Sequence, residues 1–410
     1  MVDKDVVPGD DMIQALKDAP SGSPFTVRVS GAHNISGVLS ERTTASKIWL
    51  VAESGSGATL SGRLSIHDGA PPVRITGFEI TGQIVVEGNL EPLDIIDCTF
   101  RRSVATSSRR LSEANDEPAQ EPRLIASNEN KTIENAALIV RGGHITITNG
   151  EFEGLDLAVH VEGGTLAIAN STFHQNTDSI YVTGGSTRIA NTIFSASRAT
   201  ALHVIGGDVV LKDQAVLLGN QLALKISDGA LVSYELPAPL GRYAFIQDSS
   251  GIYRFEPGEH LSDFPFACSA GIVGDSFAAQ SNPACSRRCP AGYACGAGTV
   301  VPLACENGTF CPMGSPAALD CPAGRVGTRP LLTNADQCDI CLNGTECPKG
   351  SAKVEPSEPE PRPRPQPQPK KPTSTPTPTP KPKPIPDEAV RSGHTCPDTR
   401  ERKLHTLREG

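Results

Sequence analysis

The chain has 410 residues, of which 38% are hydrophobic and 4% aromatic, and this length is enough for two or more domains. Its net charge of −9 comes from dispersed acidic and basic residues, which argues against a nucleic-acid-binding protein. No apolar run of about 18 residues predicts a transmembrane helix, and the opening residues MVDKDVVPGDDM lack the apolar segment of a secretory signal.

A short amphipathic helix is predicted near the N-terminus. It follows a Pro-Gly-Asp start signal and places Met12, Ile13 and Leu16 on one face. A stacked-repeat protein needs such a plug, because an open end exposes unpaired strand edges and core. We therefore expect residues 1–22 to form an N-terminal cap.

A polar segment interrupts the apolar pattern further along the chain. Residues 101–131 are charged and rich in Ser, Glu, Asn and Pro. They separate a unit that ends at Phe100 from regular units that begin at Leu138. We predict a disordered loop, extruded from one corner, over residues 101–131.

The regular units each contain a Gly-Gly pair. The pairs recur at spacings of 21, 21 and 22 residues, which is typical of a solenoid whose units stack on one another. Glycine suits the sharp corners between strands because it reaches positive φ without strain. The pairs are Gly142-Gly143, Gly163-Gly164, Gly184-Gly185 and Gly206-Gly207.

Apolar columns on both sides of the glycines predict two half-buried strands per unit. An asparagine column then marks a corner, and a phenylalanine column marks a third buried strand. Thr187 interrupts one inward column. The columns are Leu138, Val159, Ile180, Leu202 and Leu224; Val140, Val161, Val182, Val204 and Ile226; Ile145, Leu166 and Val209; Ile147, Ile168, Ile189 and Leu211; Asn149, Asn170, Asn191 and Asp213; and Phe152, Phe173, Phe194 and Val216.

The repeat resembles that of the right-handed β-helix of the pectin-lyase-like superfamily. The resemblance lies in the stacked columns and in phrases such as IIDCTF at 95–100 and ANSTF at 169–173, and it covers residues 1–265. It implies an all-β fold, a right-handed parallel β-helix. The superfamily includes lyases, hydrolases, epimerases, adhesins and passive stalks, so it implies no single activity. Cys98 matches Ser171 in the repeat and is expected to be an isolated, partly buried thiol.

One outward column carries three ring-bearing side chains. His160, Tyr181 and His203 follow one another on consecutive turns, about 4.8 Å apart, with Arg141 and Glu162 beside them. Such a ladder is suited to stacking on sugar rings or to binding a metal ion. The alternative is a solvated face that carries residues favouring strands. If the ladder binds glycan, protonation of both histidines below pH ~6.5 should strengthen binding to an anionic polymer.

The sequence predicts no catalytic residue. Asp156 and Asp178 come nearest to an acidic pair, with Arg188 on the following face. However, the two aspartates are one position out of register relative to the glycine pairs, and Thr200 follows in the column of Asp178. Paired carboxylates must sit at a definite separation for acid and base catalysis.

Ten cysteines lie between residues 268 and 347. CENGTFCPMGS at 305–315 returns as CLNGTECPKGS at 341–351, and these phrases resemble ephrin-receptor-like repeats, placed at 266–351. Disulfides are favoured over zinc because no second CxxC pair or nearby histidine completes a zinc site, and the pairing stays open. The cysteines are Cys268, Cys285, Cys289, Cys295, Cys305, Cys311, Cys321, Cys338, Cys341 and Cys347.

Disulfides require an oxidising compartment. Five sequons agree with secretion, and Asn307 and Asn343 are the best glycosylation acceptors because they recur at matching places in the repeated phrase. Asn34, Asn130 and Asn170 are the others. Residues 352–387 are rich in proline and predict an extended stalk, followed by a disordered tail at 388–410. We expect a sequence that lacks its native start or is an internal piece of a longer ectodomain.

These features predict an extracellular or cell-surface structural or binding protein with no cofactor and no metal. Its partner would be a polysaccharide or a protein of the cell surface or wall. The first alternative is a lyase or hydrolase that acts on an acidic polysaccharide. A cytosolic scaffold is the third alternative, and it would require reduced cysteines.

Overall fold

We describe the protein from a computed structural model. The structure describes residues 2–40, 44–88, 91–102, 134–227, 229–245, 252–258, 261–277, 280–342, 345–353 and 355–356. The predicted loop at 101–131 and the Pro-rich stalk lie almost wholly outside these ranges. The predicted tail, Cys396, Asn130 and Asn343 lie outside them entirely.

Three sheets wind around one core. Sheet 1 has eleven strands, and sheets 2 and 3 have eight each. Each turn of chain contributes one strand to sheet 1, one to sheet 2 and one to sheet 3. Each strand pairs in parallel with the strand one turn away, except Ile252–Arg254 at the end of sheet 1. The protein is a parallel β-solenoid of about nine turns, as the repeat predicts.

The strands have the following bounds. Sheet 1 comprises Val2–Val6, Pro24–Val29, Lys47–Ala52, Val73–Thr76, Leu93–Ile96, His144–Thr148, Thr165–Ala169, Ser186–Ala190, Asp208–Lys212, Leu231–Glu235 and Ile252–Arg254. Sheet 2 comprises Ala32–Asn34, Thr59–Ser61, Glu79–Ile80, Thr99–Arg101, Glu151–Glu153, Thr172–His174, Ile193–Ser195 and Val216–Leu218. Sheet 3 comprises Gly37–Leu39, Arg63–Ile66, Gln83–Val86, Leu138–Val140, Leu157–Val161, Asp178–Val182, Thr200–Val204 and Leu222–Ile226.

The core is filled by the inward columns. Leu138 pairs with Val159, Val159 with Ile180, and Ile180 with Leu202, and all four side chains are fully buried. The phenylalanine column is a continuous stack that also includes Phe100, with ring centroids 4.4 to 4.7 Å apart. One assignment was wrong: Leu217, not Val216, pairs with Phe194, because the last corner contains one more residue.

The corners depend on special backbone conformations. Asn149, Asn170 and Asn191 all have positive φ, and Asn191 donates a hydrogen bond from its amide to Oδ1 of Asn170 at 2.6 Å. The second glycine of each pair also has positive φ, as in Gly185 at +79°. The first glycine is needed for another reason: a Cβ on Gly184 would lie 2.5 Å from the carbonyl oxygen of Glu162.

Both ends of the solenoid are covered. The helix Met12–Lys17 begins at Asp11, whose carboxylate accepts a hydrogen bond from the backbone N–H of Gln14, and it buries Met12, Ile13 and Leu16 as predicted. The strand Val2–Val6 precedes it and pairs with Pro24–Val29, so the parallel sheet starts before the helix. At the other end the parallel stacking stops at Leu231–Glu235.

An antiparallel strand and a cluster of aromatic rings close the C-terminal end. Ile252–Arg254 pairs antiparallel with the last parallel strand, Leu231–Glu235. Phe264 lies over this end and contacts Tyr234, Tyr253 and Phe255 with centroids 4.7 to 5.6 Å apart. Stacking and edge-to-face contacts of this kind shield the last coil from solvent.

The cysteine-rich segment consists of short antiparallel pairs crosslinked by five disulfides. The disulfides join Cys268 to Cys285, Cys289 to Cys295, Cys305 to Cys311, Cys321 to Cys338 and Cys341 to Cys347. A 3₁₀ turn spans Ala335–Gln337. The pairs are Arg242–Tyr243 with Phe266–Ala267, Ile272–Val273 with Arg287–Arg288, Tyr293–Ala294 with Leu303–Ala304, Thr309–Phe310 with Leu319–Asp320, Arg325–Val326 with Asp339–Ile340, and Thr345–Glu346 with Glu355–Pro356.

The free thiol of Cys98 is more deeply buried than expected. Its side chain is 1% exposed, and its Sγ lies 3.3 Å from the carbonyl oxygen of Ile96. Burial raises the pKa of this thiol to about 11. Cys98 is therefore an inert core residue and not a reactive nucleophile.

Candidate functional site

The three ring-bearing residues lie side by side on the outer face of sheet 3. His160 pairs with Tyr181, and Tyr181 pairs with His203. The ring centroids of His160 and Tyr181 are 5.3 Å apart, and those of Tyr181 and His203 are 4.8 Å apart. The parallel register explains this ladder, because each residue occupies the same position in consecutive turns.

The ladder is not uniformly exposed. The side chain of His160 is only 3% exposed, while Tyr181 and His203 are each half-buried. Next to His160, the outward residues Val85, Ala136, Ile139 and Leu157 form a small buried apolar cluster against which Tyr181 packs. His160 therefore lies in the outward column but is covered, and it supports Tyr181 from the buried side.

Burial keeps His160 neutral. Loss of solvent lowers its pKa, Glu162 opposes this shift and Arg141 adds to it. Its Nδ1 lies 3.4 Å from Oε1 of Glu162 without forming a hydrogen bond, and its Nε2 lies 3.4 Å from the hydroxyl of Thr183. A buried, neutral imidazole of this kind is suited to a structural role, in which its ring is held in one orientation, and not to proton transfer.

His203 is also neutral at physiological pH. Burial and, to a smaller extent, the charge of Lys225, next in the column, together lower its pKa to about 4. In the folded protein both histidines therefore gain charge at a lower pH than the ~6.5 expected for an unperturbed imidazole. The ladder therefore presents a phenol and a neutral imidazole.

Charges beside the ladder are mostly paired. Arg141 binds Glu87 at 2.8 Å, Glu134 at 3.0 Å and Glu162 at 3.1 Å. These contacts raise the pKa of Arg141 against the opposing effect of burial. One guanidinium thus faces three carboxylates, which leaves this part of the face negative.

Asp178 lies on the same outer face but has no acidic neighbour in its column. It pairs with Leu157 on one side and Thr200 on the other, and its Oδ1 accepts a hydrogen bond from the backbone N–H of Thr200 at 3.0 Å. Burial raises the pKa of Asp178. Asp156 forms an ion pair with Arg102 instead.

Arg188 does not complete a site with these aspartates. It lies on sheet 1, paired with Ala167 and Val210, whereas Asp178 belongs to sheet 3. Within the ranges that the structure describes, no group of three or more His, Cys, Asp or Glu side chains is placed to hold a metal ion.

Sequence reasoning passed over one candidate site, a groove on sheet 1. Trp49, the single tryptophan of the chain, lines a cavity of about 330 Å³ together with Pro72, Glu91 and Asp94. A second cavity of about 730 Å³ shares Pro72 and Glu91 and continues to His144. The missed signal was a proline directly before each of two successive strands of sheet 1: Pro72 precedes Val73–Thr76, and Pro92 precedes Leu93–Ile96.

The sequons differ in their surroundings. Asn307 is exposed in a turn, and Asn34 is exposed with its Oδ1 accepting the backbone N–H of Ser36. Asn170 has its Oδ1 engaged by Asn191 in the corner ladder. Glycosylation at Asn307 stays a prediction, and Asn343 and Asn130 lie outside the described residues.

Searches with protein-family models, curated proteins and solved structures found no match to this chain. Among the described helices, none is long and apolar enough to cross a membrane.

Proposed function

We propose that this protein is an extracellular, non-catalytic binding protein whose solenoid holds a polysaccharide chain on the outer face of sheet 3. The observation that carries the proposal is the half-buried pair Tyr181 and His203, with ring centroids 4.8 Å apart on consecutive turns. His160 stacks on one face of Tyr181, and the ring of His203 is tilted by 52° to that of Tyr181. The exposed parts of the Tyr181 and His203 rings would pack against sugar rings, while the phenol and imidazole form hydrogen bonds with hydroxyl groups. The stacked ring of His160 holds Tyr181 in place.

The charges favour an uncharged polysaccharide. His203 is neutral, and Arg141 is outnumbered by Glu87, Glu134 and Glu162. Even with the charge of Lys225 next to His203, an anionic polymer would meet a net negative charge beside the ladder, whereas a neutral polymer would not be repelled.

The proposed compartment rests on the cysteines. Five disulfides between Cys268 and Cys347 are typical of an oxidising environment and stabilise modules with little apolar core. We propose that these modules are ephrin-receptor-like repeats and that the solenoid belongs to the pectin-lyase-like superfamily. Both assignments rest on the phrases and columns described above.

The alternative function is that of a carbohydrate-active enzyme. Asp178 favours it, because its raised pKa would suit a general acid. Its column neighbours, Leu157 and Thr200, supply no second carboxylate, which supports a binding role.

The test is a glycan array with wild type and Tyr181→Ala. We expect the substitution to weaken retention of neutral polysaccharides by about tenfold. The far-UV spectrum should stay that of the wild type, and the array is run well below the melting temperature of the variant, which falls because Tyr181 packs on the apolar cluster. Ile193→Ala, an exposed aliphatic change on sheet 2, is the matched control and should bind as wild type. Unchanged retention in Tyr181→Ala would refute the proposed site, and polysaccharide turnover that requires Asp178 would establish the enzyme.

A further inference from the structure

A groove crosses four consecutive strands of sheet 1, whereas the ladder residues lie on sheet 3. Ile48 pairs with Val73, Val73 with Leu93, and Leu93 with Ile145. The residues just before these core positions, Lys47, Pro72, Pro92 and His144, therefore form one outward column. The residues just after them, Trp49, Arg74, Asp94 and Thr146, form the next outward column. The groove lies along these columns and the preceding turns.

Trp49 provides the main apolar surface of this groove. Its neighbours Ile48 and Leu50 point into the core with 0% exposure, so the indole faces outward, where it is half-buried. The rings of Pro71, Pro72 and Pro92 continue the apolar surface. Three proline rings and one indole form a rigid surface that loses little conformational entropy when a ligand binds.

Polar groups border this surface. Arg74 donates from Nη2 to Oδ2 of Asp94 at 2.9 Å, which fixes both side chains. Asp68 and Glu91 are exposed, and neither forms an ion pair with a described residue. His144 contacts the hydroxyl of Thr165 through Nδ1 at 2.6 Å, which leaves Nε2 for another partner.

We propose that this groove is a second binding site, for three to four consecutive sugar units of an uncharged polysaccharide. An indole face with a rim of carboxylates, guanidinium and imidazole matches a sugar ring, which is apolar on its C–H face and dense in hydroxyl groups at its edge. Four strands span about 14 Å at a spacing of about 4.8 Å, and that spacing is close to the length of one sugar unit in an extended chain. Asp68, Glu91 and Asp94 outnumber Lys47 and Arg74 in the lining of the groove, and this excess of carboxylates disfavours an acidic polymer.

The groove would bind the same class of ligand as the ladder residues of the proposed function, but no residue belongs to both sites. An experiment can therefore refute one site without refuting the other. Two sites on different sheets let one molecule hold two chains, or one chain twice, with the gain in avidity that linked sites give.

The experiment uses the protein's own fluorophore. Trp49 is the single tryptophan of the chain, so indole fluorescence reports on the groove alone. The full chain is titrated with a panel of neutral hexasaccharides of β-linked glucose, mannose, xylose and N-acetylglucosamine, and with hexagalacturonate. We expect at least one neutral probe to change the indole emission saturably and hexagalacturonate to have no effect.

Variants then assign the signal. Glu91→Gln combined with Asp68→Asn keeps Trp49 and should weaken the fluorescence-detected affinity by about tenfold. Leu231→Ala, in the same outward column but four turns beyond His144, should leave it unchanged. Tyr181→Ala should also leave it unchanged, which separates this site from the ladder.

Two results would overturn the inference. One is an indole emission that responds to no neutral member of the panel. The other is a response that disappears in Tyr181→Ala and persists in the Glu91 and Asp68 variant, because the ligand would then bind only at the ladder.

Discussion

Phe173 lies at the centre of the ring stack and is the sharpest test of the fold. Its side chain is 0% exposed, and its ring centroid lies 4.4 Å from that of Phe152 and 4.7 Å from that of Phe194. Both contacts join different turns of the solenoid, so this one side chain links three consecutive turns. Removing the ring should therefore destabilise the neighbours as well as its own turn.

The expected magnitude follows from volume and stacking. Phe173→Ala removes a fully buried ring and leaves a cavity, which lowers the free energy of unfolding by about 3–5 kcal/mol. Phe173→Leu keeps most of the apolar volume but loses two stacking contacts, at about 0.5–1.5 kcal/mol each. Phe78→Leu is the matched control, because Phe78 is 1% exposed and forms no ring contact with a described residue.

Urea unfolding followed by far-UV circular dichroism and by Trp49 fluorescence measures these values. If the solenoid unfolds as one unit, the two signals should move together in every variant, although Trp49 lies several turns from Phe173. Equal losses in Phe173→Leu and Phe78→Leu would show that the stack adds nothing beyond burial. A loss below about 1 kcal/mol in Phe173→Ala would refute the buried position of the ring.

Further predictions concern single groups. Thr187→Val removes a buried hydroxyl that has no hydrogen-bond partner, so urea unfolding should show a gain of about 1 kcal/mol. Gly185→Ala should destabilise more than Gly55→Ala in the same assay, because both have positive φ but only the Cβ at 185 meets backbone, 2.7 Å from an oxygen. His203 has a pKa of about 4 in the folded protein and about 6.5 in the unfolded chain, so the unfolded chain binds more protons between these pH values. The free energy of unfolding should therefore fall by on the order of 2 kcal/mol as the pH is lowered from 6.5 to 4, and it should fall less in His203→Gln. Thiol labelling before and after reduction should differ by the ten cysteines of residues 268–347, and stoichiometric zinc would contradict this.

The inward half of the fold was predictable because it repeats. In columns such as Leu138, Val159 and Ile180, an aliphatic residue recurs once per turn of the solenoid. The alternation of apolar and polar residues along each strand then shows that these side chains point into the core. The prediction failed where a turn changes length, as at Val216. It also missed Asn176, whose buried amide accepts from the N–H of Leu155 and donates to the carbonyl of Phe152. Asn220 makes the same two contacts two turns further on, but Ser197 occupies this position in the turn between them, so the pattern is broken in the sequence.

The surroundings of the outward-pointing side chains were less predictable. Periodicity shows that a side chain points away from the core, but it does not show which other residues cover that side chain. Ile139 and His160 occupy the same outward column as the exposed Lys225, yet both are almost fully buried. Ala136, which lies outside the repeated columns, belongs to the apolar cluster beside them. The same reasoning applies to sheet 1, where residues before each strand, Pro72 and Pro92 among them, turn the outward indole of Trp49 into the wall of a groove. In a solenoid, the residues that flank an outward column and do not repeat decide which side chains of that column stay accessible to a ligand. Tyr181, His203 and Trp49 stay partly exposed and His160 does not, so ligand contact is proposed at the first three.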